Sequence, residues 1–92
     1  MIQSFVHKGL KSFYETGSAA GIQSGHRKKL RLQLVALDTA HTIDDMDIPR
    51  FRLHSLKGKR KNLWAINVSG NWRMIFQFEE GNAYLVNYED YH

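Results

Sequence analysis

Cysteine is absent from the 92 residues. That excludes a disulfide framework, a thiolate nucleophile and a cysteine-based zinc site. The absence fits a reducing compartment, and a cytoplasmic protein is expected. Proline occurs once, and no Pro-rich, repetitive or low-complexity stretch marks a linker. One domain spanning residues 1–92 is therefore expected. No apolar run approaches the roughly 20 residues needed to span a bilayer, so no membrane association is expected. Met1–Gly17 lacks a basic stretch followed by an apolar run, so no signal peptide is expected either. Acidic residues are the minority, with 9 Asp and Glu against 13 Lys and Arg, which gives a formal charge of +4 and a pI of about 9.6. A small basic domain suits an anionic partner such as nucleic acid or the ribosome, or an acidic protein.

The hydrophobic pattern changes period partway along the chain. Ile2–Val6 reads as a short strand. Lys8–Thr16 carries Leu10, Phe13 and Tyr14 at helical spacing and stops at Gly17. After the small, polar connector Ser18–Gly25, Ser24 is placed to cap a second helix from His26 to about Thr39. Leu30, Leu34 and Leu37 form its buried stripe, while Lys28 and Arg31, with Arg27 at the edge, form a wet basic face. His41–Pro49 holds Asp44, Asp45 and Asp47 and reads as a loop. It lacks the glycine and distal glutamate of a calcium-binding loop.

From Phe51 the pattern alternates. Phe51–Leu56 reads as a strand that puts His54 on a face with Arg52 and Leu56. The basic loop Lys57-Gly58-Lys59-Arg60-Lys61-Asn62 follows. Leu63–Val68 and Trp72–Phe78 are strands joined by a tight turn at Ser69-Gly70-Asn71, and Gly81-Asn82 signals a second hairpin before the strand Ala83–Tyr88. The chain ends Glu89-Asp90-Tyr91-His92. An α+β fold is expected, with the N-terminal strand and two helices packed on one face of a twisted, mainly antiparallel sheet. Trp72, Met74, Phe76 and Phe78 should meet the helices. That leaves the face bearing Arg73 open for chemistry. His7, His26 and His41 show no metal-ligand pattern, and neither a metal nor a cofactor is expected.

The polar residues beside that face are Arg73, His54, Lys57 and the tail Asp90, Tyr91 and His92. A phosphodiester suits such a set. In RNA the 2′-hydroxyl is an internal nucleophile. The enzyme must take its proton, stabilise charge on phosphorus and protonate the leaving 5′-oxygen. Histidine titrates near neutrality and serves as base or acid. Arg and Lys hold phosphate, Arg through paired hydrogen bonds. Each residue also has a plainer reading: Arg73 in a salt bridge, His92 at a frayed chain end, and the Lys57–Lys61 and Arg27–Arg31 charges as solvated surface.

Leu53-His54-Ser55-Leu56-Lys57-Gly58 resembles the L-x-x-L-x-G segment of HigB-type toxins in the RelE/ParE toxin–antitoxin superfamily. Leu63–Val68 and Asn71–Phe76 are similar to that family's paired central strands, and Asp90-Tyr91-His92 to its C-terminal D-Y-H. Ile2-Gln3-Ser4-Phe5 fits as well. The resemblance runs end to end. It implies a RelE-like fold and a metal-independent endoribonuclease that cuts mRNA in the ribosomal A site. It implies neutralisation by a HigA-type helix-turn-helix antitoxin, in a complex expected to be heterotetrameric with the toxin. Carried over by residue, it places His54, Lys57, Arg73, Asp90, Tyr91 and His92 in the active site. Arg73 and Lys57 are assigned to the scissile phosphate, His92 or His54 to proton transfer, Tyr91 to a base, and Asp90 to orienting a histidine or contacting the nucleotide. Lys59, Arg60, Lys61, Arg27, Lys28 and Arg31 are candidates for RNA or ribosome contact. Relatives often carry Arg where this chain has Asn67, and a less basic residue at Lys59. The competing expectation is a ParE-like protein that inhibits DNA gyrase by binding alone. A third is a toxin remnant without activity, held by its antitoxin.

Overall fold

The computed structural model describes residues 1–60 and 62–91. Helix α1 spans Lys8–Thr16, as its spacing predicts. It is capped by His7, whose Nδ1 accepts the Leu10 N–H at 2.9 Å. It ends at Gly17, whose φ of 81° lets its N–H turn back to the Phe13 carbonyl. Such a left-handed C-cap costs glycine nothing. Helix α2 spans Arg27–Thr39, one residue shorter than expected. Ser24 does not cap it: Gly25 turns the chain at φ 90°, and His26 takes the N-cap position without a side-chain cap bond. Leu10, Phe13, Leu30, Leu34 and Leu37 are buried as their spacing predicts, whereas Tyr14, the third member of the α1 pattern, is exposed. The acidic segment contains a single 3₁₀ turn, Ile43–Met46, closed by a Thr42/Asp45 capping box.

Four antiparallel strands follow in sequential order: β1 (His54–Ser55), β2 (Trp64–Ser69), β3 (Trp72–Glu79) and β4 (Asn82–Asp90). The strand expected over Phe51–Leu56 shrinks to two residues. Pro49 opens a 3₁₀ turn that drives Phe51 into the core, and Arg52 then adopts left-handed φ 52°. An extended strand begins only beyond it. The first hairpin turns on Gly70, at φ 56°. The second turns one residue earlier than expected, on Glu80-Gly81, with Asn82 already paired to Glu79. Both turn residues have positive φ, 48° and 79°, as a type I′ turn demands.

The expected N-terminal strand is reduced to two isolated parallel bridges against β4, Ile2 to Ala83 and Phe5 to Val86. The cause lies in β4. Its register against β3 shifts between Ile75 and Gln77, and Leu85 at the bulge has φ 55°. The kink interrupts the ladder that Met1–Val6 would otherwise form. Ser4 bridges the gap, its Oγ accepting the Leu85 N–H at 2.9 Å and its carbonyl the Val86 N–H at 3.0 Å.

One face of the sheet packs on the helices through Ile66, Val68, Met74, Phe76, Ala83, Val86 and Tyr88. Gln33 is buried there too, and its amide donates to the Asn67 carbonyl at 2.8 Å, where the β2–β3 register also slips. Among the described residues no helix is long and apolar enough to cross a membrane.

Candidate active site on the open sheet face

Directly paired strand residues share a face, as do residues two apart along a strand. Arg73 pairs with Asn67 on one side and Glu89 on the other. The adjacent row on the same face is His54, Ala65, Ile75 and Asn87. The register therefore gathers His54 and Arg73 on one face, as expected. They sit two strands and one row apart, roughly 12 Å on ordinary strand spacing.

This face is less open than the sequence implies. Ala65 and Ile75 are fully buried yet lie outside the helix-side core. The segment that follows β1 reaches over this face. It is closed by a bond from the Leu56 N–H to the Leu63 carbonyl at 2.9 Å and contains a 3₁₀ turn at Gly58–Arg60. From that turn Arg60 reaches over the sheet to β4, where its Nη1 donates to Glu89 Oε1 at 2.8 Å.

Arg73 is the centre of the site. Its side chain is 15% exposed, and its Nη2 donates to the same Glu89 oxygen at 3.2 Å. Its Nε is buried and has no hydrogen-bond partner among the described residues. The Tyr91 ring lies against the guanidinium, with Cζ 4.0 Å from the ring centroid, a cation–π contact. Tyr91 is held there by its backbone, which donates to the Asn71 carbonyl in the hairpin turn at 2.6 Å. The ring is still 53% exposed. A phosphate-binding cation beneath an accessible aromatic face can take a nucleotide's phosphate and base together.

Glu89 is the residue that sequence reading missed. Arg60 foremost, and Arg73 after it, hold its carboxyl below the ordinary value of 4.5 against the opposing effect of burial. The available signal was alternation: Glu89 is two residues before Tyr91 and so shares its face. Asp90 takes the other face. It pairs with Trp72, so the register turns it to the helix side of the strand, away from Arg73.

His54 is exposed, and its Nδ1 lies 2.8 Å from the Arg52 carbonyl. A carbonyl only accepts, so Nδ1 carries the proton. Nε2 is then left with the lone pair that a general base needs. Lys57 is exposed at the start of the segment that follows β1, and so is Lys59. Arg27, Lys28 and Arg31 sit on α2, across the sheet from Arg73; Arg31 lies over the Phe13 ring at 5.5 Å. They form no part of this face. His92 and Lys61, both candidates from sequence, lie outside the described residues.

A second polar cluster occupies the helix side at the same end of the sheet. The Tyr88 hydroxyl accepts the Gln23 N–H at 3.3 Å and lies 2.6 Å from His26 Nδ1. Since it accepts from Gln23, it can donate to His26. Trp72 packs on Tyr88 with centroids 4.6 Å apart, and the His26 ring meets both edge-on. Burial, then the charge of Lys29, holds His26 below its ordinary value of 6.5. Its ring is packed between helix and sheet. Among the described residues no three His, Asp or Glu side chains converge as metal ligands do.

Residues 3–92 match the family described as RelE-like toxins of the type II toxin–antitoxin system HigB. The chain is 46% identical over 92 residues to Endoribonuclease HigB of Proteus vulgaris, covering the whole of both chains. It is 35% identical over 94 residues to Toxin HigB-1 of Vibrio cholerae serotype O1, covering 100% of this chain and 98% of that one. Among solved structures it resembles the solution structure of the conserved hypothetical protein HP0894 from Helicobacter pylori, with a TM-score of 0.51, 14% identity, and 97% and 96% of the two chains covered. At that identity the likeness concerns the fold alone.

Proposed function

Because the chain belongs to the HigB-like family of RelE-like toxins from type II toxin–antitoxin systems, we propose that it is an endoribonuclease that cuts mRNA on the ribosome. The observation that carries this reading is Arg73, mid-strand on the non-helical face, with the exposed Tyr91 ring against its guanidinium.

The scissile phosphate binds Arg73, with Lys57 as a second cation, and the adjoining base stacks on Tyr91. His54 Nε2 or His92 takes the 2′-hydroxyl proton. The oxygen then attacks the adjacent phosphorus, the P–O5′ bond breaks, and the leaving 5′-oxygen receives a proton. A 2′,3′-cyclic phosphate and a 5′-hydroxyl result. These groups need no metal ion: charge on phosphorus is met by guanidinium and ammonium, and the protons move on imidazole.

The spacing supports a reaction that depends on the ribosome. No described histidine is seen to touch Arg73, and His54 stands two strands away. A flexible RNA must be held so that phosphate and 2′-hydroxyl meet groups that far apart, and the A site supplies that restraint. The partner that restrains the toxin is a helix-turn-helix antitoxin, in a heterotetrameric complex, in the cytoplasm.

The test is cleavage of a defined mRNA on programmed ribosomes by the wild type, His92→Ala and Arg73→Ala, with a control lacking ribosomes. Cuts within A-site codons that disappear in the variants and in the control are expected. Intact mRNA from a wild type that still arrests growth would defeat the proposal and point to a binding poison of DNA gyrase.

A further inference from the structure

The two arginines of the open face converge on one atom, Glu89 Oε1, at 2.8 Å from Arg60 and 3.2 Å from Arg73. One guanidinium comes from the turn at Gly58–Arg60 and the other from mid-strand. Two guanidinium groups closing on a single anionic oxygen is the arrangement that holds a phosphate.

The carboxylate fills that place imperfectly. Arg73 Nε is buried and unpaired among the described residues, so one donor of the guanidinium goes unused. A planar carboxylate already committed to Arg60 does not reach it. A tetrahedral phosphate, with its oxygens spread in three dimensions, can meet Nη2 and Nε together. The assembly can also open, because the side chains of Arg60 and Glu89 are 40% and 30% exposed. An exchangeable anion beside the Tyr91 ring sits where a nucleotide phosphate would sit.

The geometry points to Glu89 as an internal stand-in for the RNA phosphate: it occupies Arg60 and Arg73 in the free chain and yields them when RNA arrives. This deepens the nuclease reading and rests on it for the identity of the incoming anion. Glu89 is not the general base, because a carboxylate kept ionised by two arginines holds a proton poorly. The exchange also reaches the loop. Arg60 ties the turn at Gly58–Arg60 to β4, so displacing Glu89 releases that tether as the substrate enters. Free RNA must compete with a tethered anion, whereas RNA delivered at high effective concentration does so readily.

The experiment compares wild type with Glu89→Gln, which keeps the side-chain shape and removes the charge. The probe is a short 2′-O-methyl RNA oligonucleotide, bound without ribosomes and followed by fluorescence anisotropy. Its nucleophile is blocked, so binding is read apart from cleavage. Glu89→Gln should bind about tenfold more tightly, and adding Arg73→Ala should abolish the gain. Equal or weaker binding by a Glu89→Gln protein that melts like wild type would overturn the proposal and leave Glu89 as a fixed brace for the arginines. If Glu89→Gln does not fold, the wild type decides. Its Glu89 carboxyl carbon resonance should move on saturation with the oligonucleotide, and an unmoved resonance overturns the proposal. The ribosome assay separates the two readings. Tighter RNA binding by Glu89→Gln beside a wild type that cuts nothing keeps the stand-in and removes the nuclease. Wild-type cleavage without that gain removes only the stand-in.

Discussion

On the helix side of the sheet, Ile66, Val68, Met74 and Phe76 are fully buried against α1 and α2. On the other side, among the described residues, only Ala65 and Ile75 are buried; on that face stand His54, Arg73, Glu89 and Tyr91, with Arg60 reaching to Glu89. The same strands supply both faces by alternation, yet different forces hold them. The helix side is held by apolar burial, which is not screened by salt as ion pairs are. The open side is held by ion pairs that are partly wet, which contribute little to stability and rearrange easily. A protein that must hold its shape and also exchange one anion for another can divide those tasks between two sides of one sheet.

The division predicts opposite outcomes for two single changes three residues apart on β3. Phe76→Ala should cost about 3–5 kcal/mol of stability, because the void lies in a packed core. Urea unfolding measures it. Arg73→Ala should reduce cleavage on ribosomes by roughly 10²–10³-fold, the effect of losing one donor to a developing charge. Its stability cost should stay near 1 kcal/mol, because Glu89 keeps its shorter bond to Arg60. If Arg73→Ala unfolds as readily as Phe76→Ala, the two faces are not separate in function and the comparison fails.

How the tail is sorted between these faces turns on a single residue. Counting from the Glu79–Asn82 pair without interruption would set Tyr88 opposite Arg73 and so bring Asp90 onto its face. The bulge at Leu85 inserts one residue, Arg73 then meets Glu89, and Asp90 passes to the side of Trp72. Hydrophobic period reveals helices, strands and the buried stripes because it repeats over many residues. A one-residue slip does not repeat, and it exchanges the faces of everything beyond it. The same limit explains β1: the residue types from Phe51 to Leu56 suit a strand, but the left-handed turn at Arg52 comes from packing Phe51 inward. His54, Arg73 and Tyr91 were legible because their chemistry is distinctive. Glu89 was not, because only the register shows what it touches.

Leu85 gives a milder test of that account. It holds φ 55° with a side chain that is 47% exposed. Leu85→Gly removes the steric penalty of the left-handed region, about 1–2 kcal/mol, and gives up a residue that is already about half exposed. The expected result is a higher melting temperature with cleavage unchanged. A lower one would mean that the leucine side chain, not the backbone, holds the bulge in place.

The smallest effect expected is in the response to acid, where each face has its own titrating group. Glu89 is held below its ordinary value of 4.5, chiefly by Arg60. Its contribution is complete above that value and is lost only as the pH falls through the lower folded value. His26, on the helix side, is also held below its ordinary value, but it is a base, and burial is the main cause. Folding therefore favours neutral imidazole, consistent with a Tyr88 hydroxyl that donates to Nδ1. Below about pH 6.5 the unfolded chain takes up this proton before the folded chain does, so stability falls with pH until the folded value is passed. Melting temperatures should thus decline in two separate stages on acidification. His26→Phe, which keeps an aromatic ring against Trp72 and Tyr88, should flatten the stage near neutrality and leave the acidic one. Glu89→Gln should do the reverse. If either substitution flattens both stages, the two faces are coupled through β4, and the Tyr88–Glu89 step becomes the place to look for the link.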